Sequence, residues 1–417
     1  MTSWIYARLA LLAGLSLCLA SRATYAQEVK RLDSGDNWNI NWQEVHDPRA
    51  HWILFEEYEG PVEIGGWASA GFTANGFGNR SGNGNAPLPF NNVSDSPVFN
   101  QVWLYAEKPI NTEDRCLDWG VRLDYVFGAD GPDFQTSGDQ GWDFGWNTSR
   151  DYGSSIPQLY AEVGTDQWTM TVGYFLGLQG FEAGQSIDNF FYSHNYAFGY
   201  GVPGTHSGVL VSSALTDEIT IDAGWSMGWN SWWSNYLGAS MFIGGISWYP
   251  TDDLSLTYHV SAGDLGDGTA KDGVPSSEGL LYAHAIIFTY DVTERTTFVI
   301  ENTVGSNTGI GDGNNHWYSL TGYLYYEIND CWETGLRLDW FQDTDGQRVA
   351  VNGAGAGSYY EATLGLNWFP NEFVTIRPEV RYDWFEGQGQ PFNSNNGGVS
   401  GSSTYLLTVG LDCVFTF

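Results

Sequence analysis

The sequence predicts an all-β chain: a transmembrane antiparallel β-barrel of about 16 strands, with short turns at one end and long loops at the other. Three observations carry that expectation. From Gly60 to Phe417 the dominant pattern is alternation at period two, the strand period rather than the 3.6 of helices. Tight turns alternate with long Gly/Asn/Ser/Asp segments along the same stretch. Of 417 residues, 53 are Gly and 16% are aromatic, while only 16% are charged, against about 25% in ordinary soluble domains.

The N-terminus reads as an export signal. Arg8 precedes an apolar run from Leu9 to Ala20, and Ser21 to Ala26 offers a small-residue exit with cleavage after Ala26. That run falls short of the roughly 20 residues a spanning helix needs. Cys18 invites a lipoprotein reading, which Leu17 before it fits poorly. Residues 1–26 are thus expected to be a signal peptide, 27–60 a periplasmic extension or plug, and 61–417 the barrel. Beyond the signal, cysteine is limited to Cys116, Cys331 and Cys413, an odd count with no CxxC, which argues against a disulfide framework or a zinc knot. The chain carries 16 Lys+Arg against 49 Asp+Glu, a formal charge of −33. With Lys30, Lys108 and Lys271 its only lysines, it lacks the clustered cations that nucleic acid requires.

Each strand announces itself by alternation. In 119–127, Trp119, Val121, Leu123, Tyr125 and Phe127 oppose Gly120, Arg122 and Asp124; in 405–417, Tyr405, Leu407, Val409, Leu411, Cys413, Phe415 and Phe417 oppose Leu406, Thr408, Gly410, Asp412 and Thr416. In 219–229 the apolar face runs from Ile219 to Trp229. Seven tight turns (108–115, 164–167, 215–218, 250–253, 291–295, 329–331 and 370–372) interleave with eight long loops (76–97, 129–157, 177–206, 229–240, 262–279, 306–316, 343–358 and 387–403), which requires sixteen strands with both ends on the short-turn side. Cys116–Tyr125 is echoed by Cys331–Trp340, and Trp248–Asp252 by Trp368–Glu372; the uneven spacing excludes a solenoid or propeller.

Sixteen strands must dispose of their edges. Closure is the complete solution, and in lipid it is obligatory, because an unpaired backbone group there costs several kcal/mol. The aromatic girdles of a membrane barrel are visible as Trp119, Trp168, Trp248, Tyr249, Trp332, Trp368 and Phe369 beside short turns, and Tyr174, Trp225, Trp229, Trp340 and Trp384 near long loops. On 373–385, Arg377, Glu379, Arg381 and Asp383 share one face against Val374, Ile376, Val380, Tyr382 and Trp384. Charges gathered on one face of a spanning strand predict a wet lumen.

The segments IRPEVRYDWF (376–385) and GLRLDWFQDTDGQR (335–348), with the exported N-terminus, the WFPN turn and the terminal Phe417, resemble the putative beta-barrel porin-2 family of bacterial outer-membrane proteins. That resemblance spans most of 60–417 and rests on short motifs. It implies an outer-membrane location, periplasmic turns, extracellular loops and a passive channel for small hydrophilic solutes or ions, and it supplies no catalytic residue. Pro378, mid-strand and without an N–H, predicts a bulge.

Candidate pore-lining residues are Arg122, Asp124, Arg337, Asp339, Glu361, Arg377, Glu379, Arg381 and Asp383. Facing rows of Arg and carboxylate would set a transverse field; equally, they would pair with one another and stiffen the wall. The loop 177–206 carries more aromatics than a solvated loop needs: Phe181, Phe190, Phe191, Tyr192, Tyr196, Phe198 and Tyr200, together with Glu182 and Asp188. It is expected either to fold inward as a constriction or sugar platform, or to pack on neighbouring loops or a trimer partner. Acidic segments 263–273 and 343–346 have oxygen ligands for Ca²⁺, although a solvated exterior explains them as well, and no metal or cofactor is assigned. The chain has no HExxH, GxxxxGK[ST] or CxxC; His259 and Ser261 share a face without a third member, so no enzyme is expected. The rivals are a secreted Trp-rich carbohydrate-binding sandwich and a plugged structural or receptor barrel. Expected partners are outer-membrane lipid, small solutes and a homotrimer.

Overall fold

A computed structural model describes residues 60–75, 84–113, 115–136, 141–143, 145–149, 151–233, 238–267, 278–308, 315–349, 351–393 and 401–417. The expected signal peptide, nearly all of the 27–60 extension and residues 268–273 of the acidic segment lie outside them. Sixteen strands form one sheet: β1 (Glu63–Asn75), β2 (Pro97–Lys108), β3 (Asp118–Gly128), β4 (Gly153–Gly164), β5 (Trp168–Leu176), β6 (Thr205–Thr216), β7 (Ile219–Ser226), β8 (Ser240–Thr251), β9 (Leu254–Asp267), β10 (Glu278–Thr293), β11 (Thr296–Asn307), β12 (Asn315–Asn329), β13 (Trp332–Asp343), β14 (Gly357–Asn371), β15 (Val374–Gly387) and β16 (Tyr405–Thr416). Each pairs antiparallel with its sequence neighbours, and β1 pairs with β16, so the sheet closes. At the seam, Gly66 N–H donates to the Phe417 carbonyl at 2.7 Å and Phe417 N–H to the Gly66 carbonyl at 2.8 Å, leaving no free edge. The turn and loop alternation read from sequence therefore gives the strand count directly. The soluble-sandwich rival, which needs two stacked sheets, is overturned by this single closed one.

Alternation sets the two faces. Along β16, Leu407, Val409, Leu411 and Phe415 are 42–51% exposed while Leu406, Thr408 and Asp412 are at most 2% exposed. Polar residues inside and apolar residues outside invert a soluble domain and match a sheet solvated by lipid. No helix among the described residues is long and apolar enough to cross a membrane; crossing falls to the strands.

Four details depart from expectation. Phe369 sits on the inner face and is buried, because alternation sends it opposite to its neighbour Trp368. Trp229 lies beyond β7 and turns inward, its indole N–H donating to Ser261 Oγ at 3.1 Å; the strand period had already ended at Ser226. Tyr174 is fully buried under Trp232, which stacks on Trp142 at 4.4 Å. At Pro378 the β14–β15 register runs unshifted from Gly365↔Glu379 to Trp368↔Ile376 with no paired residues between, while Pro378 still pairs with Leu411 of β16. The missing N–H opens a gap in one ladder rather than a bulge; the register shift comes later, between Trp368 and Asn371.

Candidate functional site

The segment between β5 and β6 does not stay outside. From the end of β5 it enters the barrel, first holding β9–β11: Gln179 Nε2 donates to the Ala283 carbonyl at 3.0 Å, Gln179 Oε1 accepts from Ser261 Oγ at 2.6 Å, and Phe181 N–H donates to Glu301 Oε1 at 3.3 Å. It then reaches β13–β16. β5 and β13 stand eight strands apart in a ring of sixteen, so the loop crosses the full width of the lumen.

Its far attachment is built from three arginines. Arg337 donates Nε to Glu361 Oε2 at 2.9 Å and Nη1 both to loop Glu182 Oε1 at 2.7 Å and to the Ser193 carbonyl at 2.6 Å. Arg377 pairs with Asp412 of β16, Nε to Oδ1 at 2.9 Å, and donates Nη1 to the Ser186 and Asn189 carbonyls at 2.8 and 2.6 Å. Arg381 pairs with Asp383 and donates to the His194 carbonyl. Wall carboxylates take the loop's N–H groups: Glu379 accepts from Tyr192 and Ser193 at 3.1 and 3.2 Å, and Asp339 from Tyr196 at 2.9 Å. Tyr196 Oη donates to Asp383 at 2.8 Å. A loop inside a barrel cannot find water for its backbone, so the wall supplies both donors and acceptors. The guanidinium fork serves a carboxylate and a carbonyl at once, which an ammonium group does poorly.

Apolar contacts complete the attachment. Phe181, Phe190 and Phe191 pack with Ile287, Val299, Tyr323 and Tyr325, and the Arg337 guanidinium lies 4.8 Å over the Phe191 ring. Phe198 stacks on His194 at 4.5 Å, Tyr192 Oη donates to Asn100 Oδ1 at 3.2 Å, and Asp188 lies half-buried in the turn Ser186–Asp188. Gly335, Gly365 and Gly410 leave room for these rings; a Cβ on Gly335 would stand 2.6 Å from Phe190. Other loops join in. Leu88, Val349 and Phe392 pack around Tyr196 and Trp317, and Tyr200 Oη donates to the Pro87 carbonyl at 2.7 Å. Sixteen strands ordinarily leave an aqueous channel; here the mid-span inward positions are buried on every strand because loops occupy it.

Electrostatics follow the pairing. Burial works against the charge of Glu182, but Arg337 and His194 outweigh it and hold the carboxyl at about 2, so it stays ionised as the loop's acidic anchor.

All nine candidate pore residues lie on the inner face and are buried. The structure divides them. Arg122 and Asp124 form a separate group on β3, with Arg122 donating to Glu107 and Asp124 at 2.8 Å and Asp124 accepting from Trp103 Nε1 at 2.8 Å. The other seven gather on β13–β15 around the loop, covered by it where a wet wall was expected. Asp412, the partner of Arg377, was missed although the alternation of β16 already placed it inward. Ser261 bonds Gln179 and Trp229 rather than His259, so the two make no nucleophile–base pair. The cysteines Cys116, Cys331 and Cys413 are free and exposed.

A closed sixteen-strand cylinder with an apolar outside, a polar inside and a loop held across its lumen defines a porin-type outer-membrane barrel. Residues 61–417 match the sequence pattern of the family described as "Putative beta-barrel porin-2, OmpL-like", and the chain belongs to that family. No curated protein matches the sequence. Among solved structures, the fold is similar to an anion-selective porin from Comamonas acidovorans (TM-score 0.55, 9% identity, covering 85% of this chain and 99% of that one). It is also similar to in-vitro folded OmpT of Vibrio cholerae (TM-score 0.52, 10% identity, 88% and 99% covered) and to a trimer form of that protein (TM-score 0.52, 9% identity, 85% and 99% covered). At such identities the likeness is one of fold.

Proposed function

We propose that this chain is a passive outer-membrane porin for small hydrophilic solutes or ions, exported by cleavage of residues 1–26, with 27–60 as a periplasmic extension or plug, and performing no catalysis. The observation that carries this reading is the closed barrel of sixteen strands whose outer face is apolar and whose inner face carries the buried charged and polar residues. The wall residues Arg337, Arg377 and Arg381 act in it chiefly as holders of the loop 177–206, which sets the bore. Assembly as a homotrimer is part of the proposal, in line with the trimer form of the Vibrio cholerae relative.

Planar-bilayer conductance of detergent-folded protein tests it. Stepwise ohmic openings of small size are expected. A second reading, a plugged structural or receptor barrel, is favoured by the burial of mid-span inward positions on all strands. Detergent-stable protein that never opens would replace the porin by that reading.

A further inference from the structure

A second segment enters the lumen, and it is held differently from the loop 177–206. Between β1 and β2, residues 85–92 (NAPLPFNN) turn inward: Leu88 packs with Tyr196 and Phe392, and Asn85 and Asn91 are buried. The segment closes on itself. Asn85 N–H donates to the Asn92 carbonyl at 3.1 Å, Asn85 Nδ2 to the Asn91 carbonyl at 3.0 Å, and Leu88 N–H to the Asn85 carbonyl at 3.0 Å. A short loop whose ends meet in this way is a compact unit.

Its seat is the loop 177–206. The Phe90 ring lies 4.8 Å from the His194 ring, 5.3 Å from Phe198 and 5.4 Å from Phe134. Pro89 fits against Gly199, where a Cβ would stand 2.3 Å from Pro89 Cγ. Polar attachment is slight. Residues 85–92 carry no charge. Among the described residues, beyond its own flanks, the segment accepts from Tyr200 Oη at the Pro87 carbonyl, 2.7 Å, and donates from Asn91 Nδ2 to Thr73 Oγ1 at 3.5 Å. Three arginines clamp the loop 177–206; ring contacts and one good neutral hydrogen bond hold 85–92.

Seating also strains the segment. Phe90 is held at φ +62°, in the left-handed region that a bulky aromatic residue rarely adopts and keeps only where its surroundings impose it. Asn85 Oδ1 and Asn91 Oδ1 are buried without a hydrogen-bond partner among the described residues, and water would satisfy both in an outward position. Under Phe90 and Asn91 lies a small polar cavity bordered by Asn100 of β2, Asp130 after β3, and Ser186 and Tyr192 of the loop. Segments with few polar ties and stored strain are the ones that open locally at low free energy.

We propose that residues 85–92 are a lid. Seated, they close the long-loop half of the lumen over the loop 177–206; released, they swing out as a unit and open the passage, while the three-arginine clamp keeps 177–206 in place. This rests on the porin reading and adds what opens the bore, since with the lid seated the inward mid-span positions are buried.

A reversible lock tests it in planar bilayers, on protein whose Cys116, Cys331 and Cys413 are replaced by Ser. Pro89→Cys with Gly199→Cys sets two thiols across the seat: a Cβ at Gly199 stands 2.6 Å from Pro89 Cβ, so a small shift brings the pair to disulfide distance. Oxidation should lower conductance severalfold, and dithiothreitol should restore it. Gly199→Val, which wedges Pro89 off its seat with no thiol involved, should act the other way and lengthen openings severalfold. Thiol titration follows the bridge, and heat-modifiable gel migration shows that each variant folds. A folded pair that never bridges, an oxidised pair that conducts like the reduced one, or a Gly199→Val protein that opens no more than the parent would overturn the lid while leaving a porin. No opening in any of these proteins, reduced or wedged, would overturn the porin reading itself.

Discussion

Two halves of one cylinder, built from the same alternation, hold polar residues for different ends. On β13–β15 the inward face carries long charged residues, and its arginines are committed to carboxylates beside them and to the loop. On β6–β11 the inward residues are mostly Ser, Thr, Ala and Gly with a few larger apolar residues, and the loop meets them through neutral groups: Gln179 bonds Ser261 and the Ala283 carbonyl, and Phe181 N–H donates to Glu301. Inward polarity alone therefore does not define a wet wall. What separates the two walls is how each holds the loop: charged forks on one, neutral hydrogen bonds and apolar packing on the other.

The sharpest way to break the contrast is Arg337→Ala. It strips Glu182 and Glu361 of their buried partner, and breaking such a pair costs about 3–5 kcal/mol. The loop should detach at that end, raising single-channel conductance and noise, with Arg337→Lys between mutant and parent because one ammonium group cannot replace the fork. On the other wall, Gly245→Ala sets a methyl against His259 and the Tyr258 carbonyl. Overpacking of that kind costs about 1–3 kcal/mol, readable as a lower midpoint in urea unfolding of detergent-held protein, with the loop still attached.

Acid sharpens the comparison from the clamp side. Glu182 is held below its ordinary value, at about 2, so its contribution is present above pH 4.5 and is lost as pH falls towards 2. Conductance of the parent should be flat from pH 5 to 8 in so far as this carboxyl governs it and should rise on acidification below 4.5, and Glu182→Gln should blunt that rise. The smallest effect is expected at the loop's near attachment. Gln179→Ala removes two neutral hydrogen bonds worth about 1 kcal/mol each while Phe181, Phe190 and Phe191 stay packed; a modest rise in open-state noise would measure it.

Most of the fold was legible because strands announce themselves locally. Residues such as Trp119 and Arg122 differ by one chemistry at every step, and turns such as 250–253 punctuate them, so strand number, faces and closure follow from neighbours in sequence. The nine candidate residues were legible as inward-facing for the same reason. Their partners were not. The Ser193 carbonyl bound by Arg337 lies 144 residues away, and no period in a Gly/Asn/Ser loop points across a lumen. Trp229 and Tyr174 were misplaced where strand rules give way to loop packing. The gap at Pro378 shows the converse: the missing donor was readable, but the intact pairing with β16 that keeps the register was not.

The spacing of the loop's contacts also orders events in time. Its far attachments join residues 144 to 191 positions apart in the chain, and contacts of such long range are slow to form. The cylinder must exist before there is an opposite wall to grip. A barrel whose loop has not yet docked has an open lumen, and docking narrows it. A newly folded molecule should leak more than an aged one.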